Sequence, residues 1–130
     1  MDEGAVIRKF QKELNSGTAS LAVLGLMAGS SEPLYGYQIA KLLEELADGE
    51  LPMKQGALYP VLRSMEANEL LESRVEPSTS APPRRYYTVT EAGHHMLRRW
   101  IAIWGTTQGF INKVLAAADA AGRSEETADV

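Results

Sequence analysis

The chain has no cysteine among its 130 residues. That excludes disulfides and thiolate metal sites, and it fits a reducing, cytosolic setting. No apolar run comes near the roughly 20 residues that a membrane-spanning helix needs, so no membrane partner is expected. The opening Met1-Asp2-Glu3-Gly4 is acidic and lacks the form of a signal peptide, so a cytoplasmic location is expected. The two histidines, His94 and His95, are adjacent and would diverge by about 100° on a helix. No third ligand stands at metal spacing, and neither a metal nor another cofactor is expected. A Gly-rich phosphate loop and a Gly-x-Ser-x-Gly nucleophile motif are both missing, so the chain does not read as an enzyme. Positive charge is scarce as well: 13 Lys and Arg face 17 Asp and Glu, for a net charge of −4. Nucleic-acid-binding domains usually carry a basic surface. The sign of the whole chain does not fix the sign of one face, however. Glu44, Glu45, Asp48, Glu66 and Glu69 all fall where a helix would turn them to solvent.

What is present is a series of amphipathic segments. Val6, Ile7, Phe10 and Leu14 have the spacing of a first helix over residues 5–15, which Asn15-Ser16-Gly17 would end. Thr18 could then cap a second, largely apolar helix through Leu21, Val23, Leu24, Leu26 and Met27. Residues 35–47 place Ile39, Leu42, Leu43 and Leu46 on one stripe, opposite Lys41, Glu44 and Glu45. Asp48-Gly49 would stop that helix, and Leu51-Pro52 would connect it to the next. Residues 55–68 repeat the pattern with Leu58, Val61, Leu62 and Met65, and Asn68 is a candidate left-handed terminator.

Two extended runs follow, residues 70–75 and 84–90, joined by a Ser- and Pro-rich link. Thr90 can cap a long helix from Glu91 to about Ala118, striped by Leu97, Trp100, Trp104, Ile111 and Leu115. The fold class expected is mainly α with a small β-hairpin. It is a winged helix-turn-helix with an N-terminal helix and a long C-terminal dimerisation helix. Its divisions are a DNA-binding domain over 1–90, a dimerisation helix over 91–118 and a disordered tail over 119–130.

The stretch Gln55-Gly56-Ala57-Leu58-Tyr59-Pro60-Val61-Leu62 carries the functional signal. A proline is tolerated near a helix start, where its missing N–H has no partner to lose. If Leu58, Val61 and Leu62 face the core, Gln55, Tyr59 and Arg63 face outward. Gln can read adenine, Arg can read guanine or clamp a phosphate, and Tyr can donate to a phosphate oxygen. The plain alternative is an ordinary polar helix face. Lys41, Arg84 and Arg85 would flank that face and supply phosphate contacts. Neighbouring arginines on a strand point to opposite faces. At most one of Arg84 and Arg85 can face DNA, while the other can pair with an acid.

Three blocks carry a resemblance. They are Leu34-Tyr35-Gly36-Tyr37-Gln38-Ile39, then Gly56-Ala57-Leu58-Tyr59-Pro60-Val61-Leu62, then Arg84-Arg85-Tyr86-Tyr87-Thr88-Val89-Thr90-Glu91-Ala92-Gly93. In this order and spacing they resemble the PadR family of bacterial transcriptional regulators, over roughly residues 16–115. The single last helix resembles the family's short subfamily. The resemblance implies a winged-helix homodimer that binds operator DNA and usually represses. It adds Tyr37, Gly56 and Pro60 to the candidate DNA-binding residues. The relatives' wing tip is often rich in Gly and Arg, whereas this one is rich in Ser and Pro.

The stripe on the last helix extends past what a small domain can cover, and it asks for a partner helix. The expected dimer interface comprises Phe10, Leu97, Trp100, Trp104, Ile111 and Leu115. Twofold symmetry would set two recognition helices on a pseudo-palindromic site. Core packing is the default reading of Trp100 and Trp104. The resemblance implies a further role, since some short-subfamily regulators hold flat aromatic drugs between tryptophans of the two subunits. Trp104 falls at the matching position, with Trp100 and Gln108 beside it, and a small aromatic effector is the partner this implies. A module of the same fold that binds small molecules or proteins but not DNA is the alternative that the acidic charge favours.

Overall fold

The computed structural model describes residues 1–48 and 55–128, with side chains described through Arg123 and from Gly56 in the second segment. Element order is α1 (Glu3–Ala28), β1 (Leu34–Tyr35), α2 (Gly36–Leu46), α3 (Gln55–Ala67), β2 (Leu71–Glu76), β3 (Arg84–Val89) and α4 (Glu91–Ala128). The chain divides into two compact units, Met1–Leu97 and the stretch from Arg98 onward. The Leu51-Pro52 connector and Gly49 lie outside the described residues.

The first unit is the winged helix-turn-helix. Its core draws Val23, Leu24 and Met27 from α1, Ile39, Ala40 and Leu43 from α2, and Leu58, Leu62 and Met65 from α3. Leu34, Leu70, Leu71 and Tyr87 close it from the sheet side. The sheet is antiparallel with order β1-β3-β2. Leu34 pairs with Tyr87 and Tyr35 with Tyr86, while β2 and β3 pair from Leu71↔Val89 to Glu76↔Arg84. The expected hairpin is therefore present, with β1 added along the free edge of β3. A two-residue strand shows no alternation, so its sequence carried no strand signal.

Several boundaries differ from the sequence reading, each for a local reason. The first two helices are one, because Asn15-Ser16-Gly17 does not break α1. Thr18 Oγ1 donates to the Leu14 carbonyl and Gln11 Nε2 donates to Asn15 Oδ1, so these polar side chains bond within the helix rather than ending it. Asp2, not an internal residue, caps α1 by accepting from the Ala5 N–H. Leu42 and Leu46 belong to the apolar stripe of α2 but are exposed. The buried line is Gly36, Ile39, Ala40 and Leu43, spaced i, i+3, i+4, i+7. The left-handed residue after α3 is Glu69 (φ 63°), not Asn68, whose side-chain Nδ2 instead donates to the Ser64 carbonyl.

Pro60 stands sixth in α3, beyond the first turn, and removes the N–H that would meet the Gly56 carbonyl. Finally, α4 continues to Ala128 rather than ending near Ala118. Alanines at 116–118, 120 and 121 favour helix, and the Arg123–Asp119 ion pair spans one turn at 3.1 Å. The single Gly122 costs about 1 kcal/mol and does not stop the helix.

Two hydrogen bonds join the exit of α3 to the start of α4, and a third caps α4. Thr90 N–H donates to the Leu70 carbonyl at 3.1 Å. Thr90 Oγ1 donates to the Glu69 carbonyl at 2.6 Å and accepts from the Gly93 N–H at 2.9 Å. A Cβ on Gly93 would overlap the Leu70 carbonyl and sit 2.7 Å from Val89 Cγ1. Thr90 and Gly93 of the third sequence block thus act together as the seat of α4 on the wing.

In the second unit every residue from Ile101 to Arg123 is exposed. Ile103, Trp104, Phe110, Ile111, Val114 and Leu115 are all apolar side chains left uncovered there. Among the described residues no helix is long and apolar enough to cross a membrane.

Candidate nucleic-acid interface

The start of α2 is set by Tyr35, whose backbone is extended (φ −100°, ψ 165°) and whose N–H donates to Gln38 Oε1 at 3.1 Å. Gln38 at the third helical position thus satisfies a donor at the helix boundary. Gly36 follows, and its missing side chain makes room for α3. A Cβ at Gly36 would lie 2.8 Å from Tyr59 Cε1 and 3.0 Å from the Tyr59 hydroxyl. The Tyr59 ring thus crosses the first turn of α2 while remaining 46% exposed. The first two sequence blocks meet in this contact, Gly36 from one and Tyr59 from the other.

The wing completes the site. Arg84 and Arg85 occupy opposite faces of β3, as strand alternation requires. The Arg84 guanidinium lies 4.6 Å above the Tyr35 ring, a cation–π arrangement. Tyr35 also meets Tyr86 edge-on at 5.4 Å and stacks with Tyr37 at 6.4 Å. Arg85 turns the other way: its Nη1 donates to Ser73 Oγ at 2.9 Å, and Ser73 Oγ donates to Glu66 Oε1 at 2.5 Å. Glu66 is therefore partly buried and bonded, which corrects its assignment to a solvated helix face.

Between α3 and the wing lies an open groove of ≈590 Å³ lined by Tyr35, Tyr59, Arg63, Glu66, Pro83, Arg84, Arg85 and Tyr87. Three arginines against one carboxylate make it basic within an acidic chain. Burial, above all, and then the Glu66 carboxylate raise the Tyr87 hydroxyl above its ordinary pKa; Arg85 and Arg63 oppose the shift. Neither Arg63 nor Arg84 has an acidic partner among the described residues. Such a surface can hold a polyanion through guanidinium and phenol donors.

Of the residues singled out from sequence, the groove brings together Tyr59, Arg63, Arg84 and Arg85. Tyr37 and Lys41 are exposed on α2, and Gly56 and Pro60 are exposed on α3, but none of these lines the groove. The Gln55 backbone lies in α3, while its side chain lies outside the described residues. Sequence reasoning missed Tyr35, Ser73 and Tyr87. Tyr35 had a signal in its Gln three residues later, which supplies the Gln half of a capping box. Ser73 had none, since only the strand register brings it beside Arg85 and Glu66. On α4, Leu97 and Trp100 are half-buried, whereas Trp104, Gln108, Ile111 and Leu115 are exposed; on α1, Phe10 is exposed. Among the described residues no group of His, Asp or Glu is placed to hold a metal ion.

A three-stranded wing behind a helix-turn-helix, with basic side chains on α3 and β3, defines a winged-helix protein of the regulator type. The sequence model of the transcriptional regulator PadR-like family matches residues 23–99, and the chain belongs to that family. It is similar to a PadR family regulator from Eggerthella lenta, with 33% identity over 86% of this chain and 94% of the other (TM-score 0.72). A PadR-like regulator from Bacillus cereus is 26% identical over 79% and 96% of the two chains (TM-score 0.63). PadR of Bacillus subtilis, solved with operator DNA, shares the fold at 24% identity, over 64% of this chain and 46% of its own (TM-score 0.56). No curated protein sequence matches the chain.

Proposed function

We propose that the protein is a repressor that binds pseudo-palindromic operator DNA as a homodimer. The observation that carries this reading is the basic groove between α3 and the wing, where Arg63, Arg84 and Tyr59 offer donors to one strand of backbone. The B. subtilis relative solved on its operator supports the same use of the fold. Tyr37, Lys41, Gln55, Gly56 and Pro60 complete the proposed DNA-facing surface, with Arg85 at its wing edge. Binding should weaken steeply with added salt, because each phosphate neutralised releases a counterion. Selection of bound duplexes from a random pool, repeated across salt concentrations, tests this directly. A protein that retains no duplex at low salt would leave only the reading as a module without DNA binding.

The homodimer is supported by uncovered apolar side chains: Phe10 on α1, and Trp104, Ile111 and Leu115 on α4, with Leu97 and Trp100 half-buried. A second copy of the chain is the occupant we assign to them. Sedimentation at micromolar concentration should find a dimer, and a monomer there refutes the assignment. We assign a small aromatic effector to Trp104, with Trp100 and Gln108, as the agent of release. Such an agent must bind one dimer geometry better than another. Planar cationic compounds should quench tryptophan emission and lower DNA affinity together.

A further inference from the structure

One hydroxyl on β2 ties together α3 and β3, the two elements that supply most of the groove's lining. Ser73 lies on β2, donates to Glu66 on α3 at 2.5 Å and accepts from Arg85 on β3 at 2.9 Å. Ser73 faces Tyr87 in the strand register, so the bridge sits beside the buried tyrosine that closes the core under the groove. Glu66 and Arg85 are joined through the hydroxyl rather than by a direct ion pair. A guanidinium that donates into a carboxylate-anchored hydroxyl is already partly neutralised and held in direction. Arg84, on the opposite face of β3 from this bridge, lies over the Tyr35 ring and has no hydrogen-bond or acidic partner among the described residues.

We infer that Glu66, Ser73 and Arg85 form a positioning relay that fixes the wing against α3, and that Arg84 rather than Arg85 is the wing's phosphate ligand. This rests on the reading of the groove as the DNA interface. Glu66 has two effects in this arrangement. It holds the relay together, and it withdraws one cation from the polyanion's reach. Removing its charge therefore frees Arg85 for a phosphate, whereas breaking an ordinary structural contact would only loosen the wing and lose contacts.

The two consequences have opposite signs in one measurement, the slope of log affinity against log salt. Each phosphate contact adds about 0.9 to its magnitude. The full-length protein is titrated with a mixed-sequence duplex of about 30 base pairs, which reads the sequence-independent term. Arg84→Ala should flatten the slope by about 0.9. Arg85→Ala should weaken binding and leave the slope as in the wild type. Glu66→Gln keeps an acceptor for Ser73 and should steepen the slope by up to about 0.9. The double variant Glu66→Gln/Arg85→Ala should return the slope to the wild-type value, the rescue that marks the gained contact as Arg85's. The inference is overturned if Arg85→Ala flattens the slope as much as Arg84→Ala, or if Glu66→Gln leaves it unchanged or flatter. A wild type that shows no salt-dependent binding defeats the DNA reading itself, which is a distinct result from wild-type binding with misplaced slopes.

Discussion

The wing unit and the distal part of α4 use their side chains in opposite ways. In the first, polar groups find partners in the same chain: Thr90 bonds Glu69 and Gly93, Ser73 bonds Glu66, and Arg84 lies on Tyr35. It also has a buried apolar core, with Leu24, Ile39 and Leu62 fully inside. From Ile101 onward the helix exposes a comparable set of apolar residues, including Ile103, Phe110 and Leu115. Both regions show regular helical spacing of apolar residues. Periodicity therefore reveals that a face is meant to be covered, not which molecule covers it.

One substitution made in both regions gives the largest contrast. Leu62→Ala empties a fully buried site and should cost about 2–5 kcal/mol by denaturant unfolding. Leu115 is 62% exposed, and Leu115→Ala should change the stability of the monomeric chain by no more than about 0.5 kcal/mol. The same variant should raise the dissociation constant of self-association in sedimentation. A large loss of monomer stability from Leu115→Ala would mean that its own chain covers that face.

Next in size is the seat of α4. Gly93→Ala forces a methyl against the backbone carbonyl of Leu70, which cannot step aside as a side-chain end can. We expect a loss of about 1–3 kcal/mol, the range for overpacking. Thr90→Ala removes the cap and the bond to Glu69 and should cost about 0.5–2 kcal/mol. These two changes sharpen the contrast, because both lie on α4 yet act where that helix joins the wing unit.

A smaller effect is set by pH. The Tyr87 hydroxyl has its folded-state pKa raised above 10.0, chiefly by burial and then by Glu66. The folded protein therefore holds this proton more tightly than the unfolded chain does. Its contribution is fully present below pH 10 and is lost as the pH rises through the folded-state value. Tyr87→Phe should flatten the decline in unfolding free energy above pH 10 relative to the wild type, as read in urea titrations at successive pH values.

Much of this was legible in the sequence. The order of helices, the hairpin and the Thr90 cap follow from spacing and turn chemistry, and so does the separation of Arg84 from Arg85. The boundary errors share a cause. Asn15, Ser16 and Gly17 carry helix-ending propensity, but Asn15 and the following Thr18 make side-chain bonds within α1, and Val23, Leu24 and Met27 tie that helix into the core. Leu42 and Leu46 share the apolar stripe with Ile39 and Leu43, but spacing carries no depth: α2 buries only Gly36, Ile39, Ala40 and Leu43. Ser73 and Glu66 were invisible as partners because they are joined by strand register, and no single-segment pattern encodes that register.

The smallest expected effect on stability is also the sharpest test of the interface. Gly36→Ala places a methyl 2.8 Å from Tyr59 Cε1, but the obstructing atoms are the end of a half-exposed side chain. The ring can swing outward, so the melting temperature should hold within about the scatter of surface substitutions. The ring cannot then remain across the first turn of α2, and the groove loses the wall that Tyr59 provides. Affinity for duplex DNA should fall several-fold while the fold persists. Tyr59→Phe, which keeps the wall and removes the hydroxyl, separates the ring's packing from its donor. Equal losses in the two variants would assign the effect to the phosphate bond; a loss confined to Gly36→Ala would assign it to the ring's position. Unchanged affinity in both would remove Tyr59 from the DNA-facing surface altogether and leave Gly36 with a purely packing role, like the apolar residues beneath it.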